Sequence, residues 1–376
     1  MMDYLKCVGF VVAVIACCAC ASSTPGGRVE LHLHLDGAVD SDLLLEVAQM
    51  RSLKLPGIGI PTTAAQIESL VDASSTFKRF DVVNNIMGGS LEAAVLVGER
   101  MAQRQAKLGV VYTELRYDPR RMAQSSYDNS SLPMELVVDA VSAGMKMGSE
   151  KHGVQVYTLL VAMRGESAAR CFEIAKLAAR MREAASPPEL GSVVGLDLAG
   201  DEGAFNNSQY VGCLHHAKHV LGLNTTVHSG EIGAQSARLE DVRLAILEMN
   251  VDRIGHGYAA ASDPETLALI KARNIHLEVC PGTALAEGSL DAIATFKAQN
   301  ITNMGLNEDD PSSFFGGCDQ GCVEAIAQTC SGSGLEVSPA AKALCDARLR
   351  ARKSGAGLST EDIERGYRAA LAAKFS

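Results

Sequence analysis

Leu31-His32-Leu33-His34-Leu35-Asp36-Gly37 is the stretch on which the fold reading turns. Apolar and polar residues alternate through it, so in an extended strand His32, His34 and Asp36 share one face. Working outward, comparable short runs recur at 29–35, 110–116, 155–162, 192–198, 225–228, 253–255, 276–279 and 302–306. Longer patterns of helical period lie between them, at 91–108, 135–151, 166–183, 239–249 and 264–273. Strands alternating with helices argue for a parallel sheet. Eight such strands predict a (β/α)₈ barrel of the α/β class. A doubly wound sheet would carry a Gly-rich phosphate turn after the first strand, and none is present. The segment 40–90 exceeds one crossover helix and predicts extra helices over the C-terminal mouth. Phe77 and Phe80 lie there at i, i+3; a buried aromatic pair is the commoner reading, a cover over a planar ligand the other.

Three further motifs end predicted strands: Thr226-Val227-His228-Ser229-Gly230-Glu231, Arg253-Ile254-Gly255-His256-Gly257 and Leu306-Asn307-Glu308-Asp309-Asp310-Pro311. Barrel enzymes place their chemistry at the C-terminal ends of strands, so these side chains should converge there. A lone His-x-His is usually a pair of core or surface histidines. Joined by His228 and Asp309, the pair instead predicts a metal site: His32, His34, His228 and Asp309 around one Zn²⁺ per chain, with an open coordination position. His256 ends the neighbouring strand, where it could take a proton or steady a hydroxide. Glu231 lies past the strand, so it can reach substrate without ligating metal and could protonate a ring nitrogen. Asp310 is expected to contact water or substrate. Gly200 follows the fourth strand, either as an ordinary turn residue or where a backbone N–H approaches a ligand. His152, His215, His216, His219 and His276 carry no partner pattern.

The chain has 376 residues, 47% of them hydrophobic, and a net charge of −10 with no basic block. That argues against a nucleic-acid partner and suits a small neutral substrate. Lys6 precedes an uncharged run from Cys7 to Ala21, and Ala19-Cys20-Ala21 has the small-x-small form of a cleavage site. The run is too short to span a membrane, which needs about 20 apolar residues, so no stable anchor is expected. Residues 1–21 read as a signal peptide and the location as secreted or extracytoplasmic; an extended start to a cytoplasmic protein is the alternative. Of the seven cysteines beyond the leader, Cys318, Cys322, Cys330 and Cys345 crowd together, where one or two bridges could form. The sequon at Asn224 falls on a predicted buried strand, where a glycan would not fit.

Taken in order, VELHLHLDG, GVVYTELRYDP, GLDLAGDE, TVHSGEIG, RIGHGY, LEVCP and LNEDDP resemble the adenosine deaminase family of the amidohydrolase superfamily. The similarity runs from about Arg28 to Phe315 and returns in the closing helix near 363–375. It implies hydrolysis of adenosine, and of deoxyadenosine, to inosine and ammonia in purine salvage, with a purine nucleoside as partner. It also implies His32, His34, His228 and Asp309 as ligands, and Glu231 as proton donor to the purine N1. His256 would orient the zinc hydroxide; Asp310 would assist it and accept from the N7 side. Gly200 would contact N3, Asp36 the ribose, and His34 would also border the substrate. Departures are Ser229 where the family usually has Ala, Gly282-Thr283-Ala284 after Cys280-Pro281, and a poorly matched insertion at 316–358.

The domain reading is therefore a leader at 1–21, a short linker at 22–27 and one barrel at 28–376, with Ser359 capping a closing helix at 360–373. Adenine, AMP or N6-methyl-AMP are alternative substrates, and a catalytically silent nucleoside-binding relative is the alternative class. A cytidine-type zinc deaminase would need P-C-x-x-C, which the chain lacks. A phosphorylated substrate would need cationic groups at the mouth, and sequence alone does not place Arg116, Arg120 or Arg164. Oligomeric state is not legible.

Overall fold

The computed structural model describes residues 27–74, 76–232, 236–287, 289–312 and 360–375. The leader, the four clustered cysteines from Cys318 to Cys345, the insertion at 316–358 and the Ser359 cap lie outside the described residues. Within them, eight strands form one sheet in chain order: β1 (Arg28–His34), β2 (Val110–Tyr117), β3 (Gln155–Met163), β4 (Val193–Ala199), β5 (Asn224–Ser229), β6 (Arg253–His256), β7 (His276–Val279) and β8 (Met304–Leu306). Every neighbouring pair is parallel. The ends meet just past β8, where Leu33 and Asp309 form a parallel bridge. There His34 N donates to Asp309 O at 3.1 Å, and Asp309 N to His32 O at 2.9 Å. The (β/α)₈ expectation holds, and Asp309 sits in the closing seam itself.

Both faces of the strands are covered, β4 being buried at every residue. The flanking helices start on caps that the sequence supplies: Ser90 Oγ accepts from Ala93 N at 3.2 Å and opens Leu91–Lys107. Ser167 does the same for Arg170 N, so that helix runs Ala168–Ala184 and leaves Glu166 outside it. The pattern at 239–249 is not one uniform helix. It is an α-helix, Ser236–Leu244, that widens to a π turn over Ala245–Met249 and stops at Asn250 with φ 55°. Asn224 opens β5 and its amide donates to Val194 O at 3.2 Å, which leaves no room for a glycan.

Cys171 and Cys213 form a disulfide between the helices Ala168–Ala184 and Val211–His219. Nothing in their spacing signals that pairing, because it joins two barrel helices 42 residues apart. As expected, extra helices follow β1: Ser41–Met50, Ala64–Asp72 and Thr76–Met87. Among the described residues no single helix is long and apolar enough to cross a membrane.

Candidate metal centre and active site

Closing the barrel brings together four side chains from three distant parts of the chain. One donor atom from each of His32, His34, His228 and Asp309 lies within 4.8 Å of the others. His34 Nε2 and His228 Nε2 face each other at 2.9 Å. His32 Nε2 and His34 Nε2 are 3.4 and 3.6 Å from Asp309 Oδ1.

Their outer nitrogens are held from behind. His32 Nδ1 meets Glu278 Oε2 at 2.7 Å, and His228 Nδ1 meets Asp197 Oδ2 at 3.1 Å. A carboxylate behind Nδ1 fixes the proton there and leaves the Nε2 lone pair pointing inward, as metal-binding imidazoles require. Burial, and then the neighbouring imidazole, keep His34 well below its usual pKa; burial also lowers His228. Burial and Arg116 act to lower His32 too, but Asp309 and Glu278 outweigh them and raise it. His32 Nε2 is buried with no hydrogen-bond partner. These inward lone pairs around one carboxylate fit a divalent first-row cation.

Gly255 explains part of this fit. A Cβ there would stand 2.6 Å from His32 Cε1, so only glycine lets the ring occupy its place beside β6. His256 and Asp309 both have φ of 68°, an uncommon backbone state for residues other than glycine and one found at functional sites.

Beside the cluster stand two groups able to exchange protons. His256 is fully buried, and neither ring nitrogen has a hydrogen-bond partner. Its Nε2 is 3.8 Å from Asp309 Oδ2 and 3.9 Å from Glu231 Oε2. Burial holds His256 well below its ordinary pKa and so favours the neutral imidazole. Burial pushes Glu231 well above the carboxylate range, and Asp309, Glu202 and Glu287 add to it. A neutral carboxyl and a neutral imidazole can therefore act as acid and base side by side. Asp310 is raised in the same way, by burial and then by Asp309 and Asp36.

Glu231 sits on a loop that other residues hold still. Glu202 accepts from Gly230 N at 2.6 Å and from Glu231 N at 2.9 Å. Ser229 Oγ accepts from Asn207 Nδ2 at 3.1 Å, which gives this departure from the family pattern a local role. The other departure also touches the cluster, since Thr283 Oγ1 donates to Asp309 Oδ2.

The cavity in front of these groups is lined by His34, Asp36, Gly200, Glu231, Asp309 and Asp310, so the structure gathers every sequence-derived substrate residue there. Gly200 has φ 105°, a conformation that side chains rarely adopt. Asn84 donates to Asp36 Oδ2 at 2.6 Å. Phe77 and Phe80 line the same cavity, and Phe77 is 49% exposed, so the buried-pair reading gives way to a cover over the mouth.

The three undecided arginines are now placed. Arg116 is buried between Asp197 and Glu278, at 2.9 and 2.8 Å. Arg120 pairs with Glu166, and Arg164 binds Asn207 Oδ1 at 2.7 Å and the His228 carbonyl. Among the described residues lining the cavity, Arg121 is the arginine or lysine, and Asp81 already binds it at 3.1 Å. Eight Asp and Glu side chains share that lining.

Sequence reasoning assigned no role to Glu278, Asp197, Glu202 or Arg116. For Asp197, Arg116 and Glu278 the available signal was a charged residue inside a buried strand, which is costly unless paired; Glu202 lies in the turn after β4 and offered no such signal.

A family model described as Adenosine deaminase matches residues 27–327. The adenosine deaminase of Mus musculus is 29% identical over 307 residues, covering 76% of this chain and 82% of that one. The adenosine deaminase of Enterococcus faecalis is 31% identical over 281 residues, covering 74% and 78%. Among solved structures, the apo N6-methyl-AMP deaminase from Arabidopsis thaliana aligns with a TM-score of 0.65 at 25% identity, covering 93% of this chain and 92% of that one.

Proposed function

The chain belongs to the adenosine deaminase family of hydrolytic deaminases, and from that premise we propose that it is a zinc enzyme converting adenosine, and deoxyadenosine, to inosine and ammonia. One observation carries the reading. The Glu231 carboxyl, at the wall of the cavity, and the buried His256 imidazole stand 3.9 Å apart beside the four-donor cluster.

His32, His34, His228 and Asp309 would hold the ion. Bound there, it would supply a water whose pKa falls to about 7, a nucleophile at neutral pH. Glu231 gives its proton to the purine N1, which makes C6 electrophilic. His256 accepts a proton from the attacking water and orients it towards C6. The C6–O bond forms; His256 then returns its proton to the amino nitrogen, the C6–N bond breaks and ammonia leaves, while the new C6 hydroxyl gives its proton back to Glu231 and becomes the carbonyl. Asp310 assists from the N7 side, Gly200 meets N3 and Asp36 meets the ribose. Phe77 and Phe80 cover the base and exclude bulk water.

A nucleoside fits this mouth better than a nucleotide. The likeness to the Arabidopsis N6-methyl-AMP deaminase favours a phosphorylated substrate. Against it stand the acid-rich lining and the pairing of Arg121 with Asp81. Adenosine, deoxyadenosine, adenine, AMP and N6-methyl-AMP followed by ultraviolet absorbance decide the matter. Adenosine should be turned over fastest; a preference for AMP or its methylated form would overturn this choice.

From the leader we also propose that the mature chain lies outside the cytosol, after removal of residues 1–21. The Cys171–Cys213 disulfide suits an oxidising compartment. N-terminal sequencing of the mature protein should start beyond the leader, and an intact Met1 would end the idea.

A further inference from the structure

The end of the barrel opposite the cavity is closed by the residues that follow the helix Thr360–Ala373. Arg253, at the start of β6, is their main partner. Its guanidinium carbon lies 3.7 Å from the centre of the Phe375 ring. Its Nη1 donates to Ala373 O at 3.0 Å and its Nη2 to Glu114 Oε2 at 2.5 Å. Its Nε donates to Glu278 Oε1 at 2.7 Å. The other oxygen of Glu278 is the one that meets His32 Nδ1 at 2.7 Å. Phe375 is only 5% exposed, and its own N–H donates to Glu114 Oε1 at 2.7 Å. Two polar contacts, Arg253 to Glu278 and Glu278 to His32, thus run from the base of the barrel to its metal-binding rim.

We propose that Phe375 is a positioning residue for His32, acting across the barrel through Arg253 and Glu278; this rests on the metal reading above. The physical reason is exclusion of water. Arg253 is 1% exposed, and a buried ion pair holds its geometry only while solvent cannot compete for it. The Phe375 ring covers one face of the guanidinium, as aromatic rings do for cations, and closes the barrel floor beside Leu159 and Val194. Without the ring, water reaches Arg253 and its hold on Glu278 slackens; Arg116 and Thr226 still bind the carboxylate, at 2.8 and 2.9 Å, so Glu278 fixes the His32 tautomer less firmly. Outer partners of metal-binding histidines govern metal affinity by about 10–100-fold.

The test uses the full-length, metal-loaded protein. Phe375→Ala keeps the backbone contacts to Glu114 and Tyr112 and removes the ring. Release of zinc to a chelator, read with a zinc-sensitive dye, should be about ten-fold faster than in the unaltered protein. kcat should fall with KM unchanged, and Phe375→Tyr should restore both. Phe375→Leu, which preserves apolar burial, serves if the alanine variant does not fold, and should release zinc faster by a smaller factor. A lower melting temperature with zinc release unchanged in these variants overturns the proposal and leaves the metal reading standing. An unaltered protein that holds no metal overturns both.

Discussion

Glu278 Oε2 stands 2.7 Å from His32 Nδ1, and this contact joins the charges inside the barrel to the donors at its rim. Arg116 and Arg253 hold the same carboxylate at 2.8 and 2.7 Å and, against the effect of burial, keep it well below its usual pKa. Glu278→Gln leaves two buried arginines short of a counter-charge and one imidazole without its orienting partner. Stability should drop by about 3–5 kcal/mol, the scale for breaking a buried pair. Metal affinity should weaken by about 10–100-fold. Thermal melts and chelator competition measure the two effects separately, and native affinity in a folded variant would refute the link.

Glu231→Gln keeps the shape of the side chain and removes its transferable proton. Glu231 is not one of the four donors, so bound metal should remain at one ion per chain, as about one equivalent by elemental analysis. kcat should fall by about 10²–10⁴-fold. Loss of metal together with activity would show that Glu231 serves the ion instead of the proton.

The acid role of Glu231 also fixes the sign of one pH effect. Burial raises its pKa, so the protonated form is the one the fold favours. Its contribution to stability is complete below the unfolded value and is lost as pH rises through the raised folded one. Activity should follow the same direction and decline on the alkaline side, because the ionised form has no proton to give. A kcat that climbs steadily with pH through that limb would rule out the assignment.

Gly255→Ala tests packing without altering any charge. The added methyl would lie 2.6 Å from His32 Cε1 and 3.1 Å from His32 Nδ1, so the ring must move. Overpacking of this kind costs about 1–3 kcal/mol. The more telling readout is the metal content of purified protein, which should fall below that of the unaltered chain. Full occupancy would mean that the ring adapts.

Replacing both Cys171 and Cys213 with Ser frees two helices that the disulfide ties together. For a closed loop of 42 residues the chain-entropy argument gives a loss of about 4 kcal/mol. Denaturant unfolding should show that loss, while kcat stays unchanged because neither residue reaches the cavity. An unaltered midpoint would mean that the bridge adds nothing.

Much of the fold was legible because strand and helix periods differ and both are local properties. β7 matches its expected span, 276–279, residue for residue, and the other strands differ by a residue or two at their ends. The donors were legible because His-x-His on one strand places two imidazoles on one face without knowledge of anything else. The Phe77 and Phe80 reading failed for the opposite reason. Spacing puts two rings on one face of a helix but does not say whether that face meets core or cavity.

The sequence alone therefore determined the barrel and the residue types at its rim, since both follow from short-range periodicity and from what imidazoles and carboxylates can bind. Only the tertiary structure decided which carboxylate stands behind which imidazole, that Cys171 meets Cys213, and that Phe375 lies under Arg253. These pairings join residues dozens to hundreds of positions apart, and closure of the sheet through Asp309, not any local pattern, brings them within a few ångströms.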